Sequence, residues 1–182
     1  MHFLRPGVGG NENEKEYFRK GRKMGTRSLT IVEEEGIEIV TMYRQYDGYP
    51  TGHGQELAGF LAGGELVNGL GRKEKLVFNG MGCLAAAMVA HFKTDPGNIY
   101  LYPPGSRDCG EEYIYKVFKH DGKIWLSVLS GFMTVFGLPG TKEENMPCLF
   151  SGPVADYNAA AIEKTEQDQE PPPNDYIESQ AS

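Results

Sequence analysis

YIYKVFKHDGKIWLSVL, residues 113–129, decides how this chain folds. Tyr113–Phe118 and Ile124–Leu129 are two runs rich in β-branched and aromatic residues, and His120-Asp121-Gly122 separates them. Asp-Gly between such runs is a strong short-range signal for a β-hairpin, because both turn positions tolerate positive φ. An earlier pair repeats the pattern. Ser28–Val32 and Ile37–Tyr43 flank the polar turn Glu33-Glu34-Glu35-Gly36 and predict a first hairpin. Lys75–Phe78, Ile99–Tyr102 and Phe132–Phe136 read as further short strands.

Helical patterns are fewer. Gln55–Ala62 places Leu57, Phe60 and Leu61 on one side and stops at Gly63-Gly64. Cys83–Lys93 is Ala-rich, with Leu84, Met88 and Phe92 four residues apart, and Asp95-Pro96-Gly97 ends it. Strands outnumber helices, and hairpins join them. The expected fold is therefore α+β: an antiparallel sheet built from hairpins, with about two helices packed on one face.

Composition bounds the rest. The chain has 182 residues, 40% hydrophobic and 11% aromatic, enough for one domain with a genuine core. Residues 24–162 are read as that domain. Residues 1–23 carry six Lys or Arg against three acids and are read as a flexible arm, with Met24-Gly25-Thr26 resembling a second start. Residues 163–182 carry six acids, one Lys and Pro171-Pro172-Pro173, and are read as a disordered acidic tail. A net charge of -7 argues against a nucleic-acid partner. No apolar run approaches the ~18 residues that span a bilayer, so no membrane is expected. The three cysteines, Cys83, Cys109 and Cys148, form no CxxC pair, which points to a reducing, cytoplasmic setting. The four histidines lack metal-ligand spacing, so neither a metal nor a cofactor is expected.

RQYDGYPTGHG, residues 44–54, concentrates chemistry in a glycine-punctuated loop. Arg44 offers a planar fork for a carboxylate or phosphate. Asp47 and His53 are the candidate acid/base pair. Tyr46, Tyr49, Gly52 and Gly54 are candidate ligand contacts, with Arg107 assisting from the Arg107–Glu112 turn. A helix starting near Gln55 would aim its first amides at an anion here. The plainer reading is a tight turn in which Arg44 pairs with Asp47.

Two other segments carry weaker signals. Asn79-Gly80-Met81-Gly82-Cys83-Leu84-Ala85 matches G-x-G-x-x-A, but hairpins follow it in place of further βαβ units. Its glycines are read as permitting close helix–sheet approach. Cys109 stands beside Asp108, Glu111 and Glu112, which favour thiol over thiolate.

MGTRSLT (residues 24–30), MYRQYDGYPTGHG (42–54), NGMGCLAA (79–86) and RDCGEEYIY (107–115) together resemble a group of small uncharacterised proteins of bacteria and their phages. The resemblance covers residues 24–129 and implies no activity; for a phage protein it implies the host cytoplasm. Arg44-Gln45-Tyr46-Asp47 after an opening hairpin is also similar to the Arg-x-x-Asp of N-terminal-nucleophile hydrolases, but Gly25 stands where their nucleophile would be. Two functions follow. One is a non-enzymatic binding or accessory protein that recognises a small anionic ligand or a host protein through residues 44–54. On that reading, Arg44→Ala abolishes ligand-induced stabilisation and spares the fold. The alternative is a small hydrolase or transferase using Asp47 and His53, with Arg44 as anion clamp.

Overall fold

The computed structural model describes residues 25–69, 76–131 and 143–168. Six strands form the main sheet: β1 (Ser28–Glu34), β2 (Ile37–Arg44), β5 (Ile99–Tyr102), β6 (Tyr113–His120), β7 (Lys123–Ser130) and β8 (Cys148–Pro153), in the order β5-β2-β1-β6-β7-β8. Both expected hairpins are present. β1 pairs antiparallel with β2, and β6 with β7 across the Asp121-Gly122 turn, where Asp121 and Gly122 have φ of 48° and 74°. β5 and β8 extend the sheet antiparallel at its two edges.

The sheet is mixed, and this corrects the expectation of an all-antiparallel one. The two hairpins lie side by side with their first strands parallel, Ser28 opposite Tyr113 through Val32 opposite Val117. A hairpin announces its own pairing through its turn. A pairing across about 85 residues leaves no local mark. A second, two-stranded sheet is also parallel, β3 (Gly64–Val67) beside β4 (Leu76–Asn79).

Three α-helices are described where about two were expected: α1 (Gln55–Ala62), α2 (Gly80–Phe92) and α3 (Ala159–Asp168). α3 runs through residues 163–168, which composition alone assigned to a disordered tail. The arm at 1–23, the rest of the tail at 169–182 and the strand expected at 132–136 lie outside the described residues.

Alternation along each strand sorts the core into two layers. Val32, Met42, Tyr115, Val117 and Leu126 face the helices, meeting Leu57 and Leu61 of α1 and Met81, Leu84 and Met88 of α2. Each of those five helix side chains is fully buried and stabilises the fold by about 1.5–3 kcal/mol. Leu29, Ile31, Tyr43 and Ile114 point the other way and are covered by Tyr102, Cys109 and Met146. α2 begins at Gly80, which takes φ 76°; nothing stands within 4 Å of where a β-carbon of Gly80 or Gly82 would be. These glycines therefore do not mediate close packing against the sheet, as their spacing had suggested.

Candidate functional site

One end of the helix-covered face is polar. Across the sheet, Arg44, Ser28, Tyr113 and Ser130 stand in register on β2, β1, β6 and β7. Thr30 and Tyr115 follow one step inward. The 44–54 loop folds over this row. It ends in a π-turn, Pro50–Gly54, which is kinked at Gly52 (φ -99°, ψ -106°) and leads into α1.

His53 lies at the centre with no exposure to solvent. Arg44 donates from one terminal nitrogen to His53 Nδ1 at 3.0 Å, and the same nitrogen reaches Glu56 Oε2 at 2.6 Å. A guanidinium only donates, so Nδ1 must be the unprotonated ring nitrogen. The proton therefore sits on Nε2 and is donated to Thr30 Oγ1 at 2.7 Å. The rings of Phe92 and Tyr115 pack edge-on at 5.0 and 5.3 Å. Burial first, and the Arg44 charge second, lower the imidazole pKa to about 3. Near neutrality His53 is a neutral imidazole with both ring nitrogens bonded inside the fold.

Arg44 is almost as deeply buried. Its Nε donates to the Tyr46 carbonyl at 2.7 Å. Its ion-pair partner is Glu56 on the first turn of α1, not Asp47 as the tight-turn reading expects. Asp47 is exposed, at φ 57°, and joins the network through its backbone: its carbonyl accepts the His53 amide at 2.8 Å. The sequence-predicted pair Asp47 and His53 is thus divided between surface and interior.

The backbone of the loop is equally committed. Gly48 N–H donates to Thr26 O, and Gly48 O accepts the buried Tyr115 hydroxyl at 2.8 Å. Tyr49 O accepts from both Gly52 and Gly54. Gln55 N–H turns back to Pro50 O and Gly52 O. The Thr51 amide donates to Glu163 of α3 at 3.1 Å. The amides from Thr51 to Gln55 are therefore all used within the fold, and the helix start offers no cradle for an anion. Gly52 and Gly54 serve packing. A β-carbon on Gly52 would stand 2.6 Å from Asp47 O, and one on Gly54 would stand 2.0 Å from the Tyr157 hydroxyl, which itself donates to Pro50 O at 2.9 Å. Tyr49 is half-buried against the core. Tyr46 is exposed; its amide donates to Asn98 Oδ1 at 3.0 Å, beside the Gln45 amide on Asn98 O.

Arg107 is held elsewhere. It bonds Glu38, the Ser106 carbonyl and, at 2.5 Å, Glu143. Lys116 joins the cluster through Glu33 and Glu143. Lys116 is two residues from Ile114, so this ionic group lies on the face opposite His53. Arg107 and the 44–54 loop do not share a pocket. Burial, then Glu111 and Asp108, raise the Cys109 thiol above its ordinary pKa, so that loop presents no activated nucleophile.

Sequence reasoning missed Thr30, Glu56, Tyr115, Tyr157, Glu163 and Glu166. Their partners lie 12 to 112 residues away, and only Glu56, one turn beyond His53, carried a local hint. Among the described residues no three His, Cys, Asp or Glu side chains gather as a metal site, and no helix is long and apolar enough to cross a membrane. Compared with protein-family models, with curated proteins and with solved structures, the chain matches none of them.

Proposed function

We propose that this chain is a non-enzymatic binding protein that engages a protein partner along the β5 edge of its sheet, with the 45–49 loop as the rim of the contact. The observation that carries this reading is where apolar side chains meet solvent. Five large hydrophobic side chains are exposed among the described residues, and three of them are Tyr46, Tyr100 and Leu101, at 49%, 44% and 56%. Tyr100 and Leu101 belong to β5, and the Tyr46 segment is hydrogen-bonded to Asn98, the residue just before that strand.

β5 is an edge strand, IYLY, without a charged residue. Uncharged edges with exposed apolar side chains invite pairing, and strand addition is a common mode of peptide recognition. Aromatic side chains on a rigid base make efficient binding anchors, because little rotamer freedom is lost on contact. Rigidity comes from beneath: the Arg44–His53–Thr30 chain fixes the loop that presents Tyr46 and Asp47. Lys93, 5.4 Å from the Tyr100 ring, adds a cation at the margin.

A small anionic ligand has less to hold it. Arg44 and Arg107 already donate to carboxylates within the fold, and the amides from Thr51 to Gln55 are used within it. The hydrolase or transferase alternative has less support, because His53 is fully buried with both ring nitrogens bonded within the fold.

The test compares partner capture by the natural sequence, by Tyr46→Ala with Leu101→Lys, and by Ile37→Ser, a control at an exposed site away from β5. The expected result is one defined partner retained by the natural sequence and the control, and lost by the double variant. Equal retention by all three would reject the β5 surface. Enrichment of no protein by any of them would reject a protein-binding role.

A further inference from the structure

α3 meets the rest of the molecule differently from the other helices. α1 buries Leu57, Ala58 and Leu61, and α2 buries Met81, Leu84, Ala85 and Met88. α3 buries Ala159 and Ile162. Among the described residues, carboxylates of the helix also accept from hydroxyls and one amide. Glu163 accepts from Thr51 N at 3.1 Å and Thr51 Oγ1 at 2.5 Å. Glu166 accepts from the Tyr113 hydroxyl at 2.6 Å and Ser130 Oγ at 2.7 Å.

The helix is also poorly suited to stand alone. It has ten residues, short of the roughly 12–15 at which isolated helices become even marginally stable. Glu166 lies in its C-terminal half, where the helix dipole disfavours negative charge. Docking must hold it, and docking is mostly polar. The chain just before it is firmly fixed: Tyr157 donates to Pro50 O and packs edge-on against Phe150 at 5.5 Å. Asn158 caps the first turn through its side chain on Ala161 N–H at 3.1 Å.

What α3 covers is the polar row. Tyr113 and Ser130 lie directly under Glu166, and Ser28, beside Tyr113, keeps a buried hydroxyl with no hydrogen-bond partner among the described residues. A row of hydroxyls under an apolar helix would be costly to bury; here acidic side chains of the covering helix satisfy two of them.

We infer that α3 is a polar latch. It releases as a unit, hinged at Asn158, while the sheet stays folded, and its release uncovers Tyr113 and Ser130 and frees the Thr51 amide and hydroxyl from Glu163. This inference stands apart from the β5 surface and does not depend on it. Local opening of this kind is expected where few apolar contacts hold an element.

Hydrogen exchange on the full chain tests it, with trypsin cleavage after Lys164 as a second readout. The latch predicts that amides of 162–168 exchange roughly tenfold or more faster than those of β1 and β6, with little dependence on urea. The Thr51 amide, which Glu163 protects, should exchange in step with them. Glu166→Gln should speed both α3 exchange and cleavage about tenfold, with β1 and β6 changed by less than about twofold. Exchange of α3 at the rate and urea dependence of β1 and β6 would overturn the latch, because the helix would then open only with the whole domain. So would fast α3 exchange with a protected Thr51, which would indicate fraying at the helix end.

Discussion

The two arginines that the sequence nominated for one pocket hold opposite faces of the sheet by opposite means. Arg44 is alone with a neutral imidazole, a backbone carbonyl and one half-exposed carboxylate. Arg107 sits in a cluster of two cations and three carboxylates, each side chain about one-fifth exposed. There, Arg107 holds Glu38 below the usual carboxylate range, and Lys116 and Arg107 do the same for Glu143 against the upward push of its burial. The first arrangement depends on geometry around a buried guanidinium. The second spreads charge where solvent still screens it. A buried cation with a single carboxylate partner is hard to replace, whereas a shared, partly exposed cluster degrades gradually.

The sharpest way to break this contrast is at Arg44. Arg44→Met leaves His53 Nδ1 without a donor and frees the loop from Tyr46 O and α1. Urea unfolding should register a loss of about 2–4 kcal/mol, with little dependence on added salt. The sequence reading expects a folded, ligand-deaf protein from a truncation here; the structure makes Arg44 a fold residue first. A cost under about 1 kcal/mol would mean the network is decorative.

Acid comes next. His53 is neutral in the fold and regains a pKa of about 6.5 when unfolded. Its folded pKa, about 3, is depressed. The unfolded chain therefore binds the extra proton between those values, and stability falls as pH falls through that window. From pH 7 to pH 5 the loss should be about 2 kcal/mol. Urea titrations at stepped pH should show this slope in the natural sequence and not in His53→Gln. An unchanged slope in the variant would assign it to other groups.

The smallest effect belongs to the opposite face. Arg107→Met should cost about 1–2 kcal/mol at low salt and visibly less in 1 M NaCl, since screening already weakens what it removes. A salt-independent penalty would place Arg107 in the same class as Arg44.

Much of the frame was legible. Gln55–Ala62 and Ile99–Tyr102 match their elements residue for residue, because helical periodicity and a run of β-formers between Gly/Pro stops are local signals. The hairpins were legible for the same reason. The parallel β1–β6 junction was not, since register between distant strands is set by how the two hairpins pack. β8 and α3 escaped because Cys148–Pro153 contains Ser151, Gly152 and Pro153, and α3 is acidic enough to resemble a tail. At the candidate site, the side-chain orientations were not legible. Charge and ring content marked residues 44–54, but nothing local says that His53 turns inward onto Thr30, 23 residues upstream, while Asp47 turns out.

The parallel junction at the centre of the sheet also imposes an order of assembly. During synthesis the β1–β2 hairpin emerges long before its central neighbour exists, and its inner edge stays open until Tyr113–Val117 arrive. Closing so long a loop is slow compared with forming either hairpin. In that interval the chain exposes an edge bearing Leu29, Ile31 and Val32, which are wholly covered in the finished protein. The seam that organises the mature fold is thus also the point at which a nascent chain is most open to mispairing.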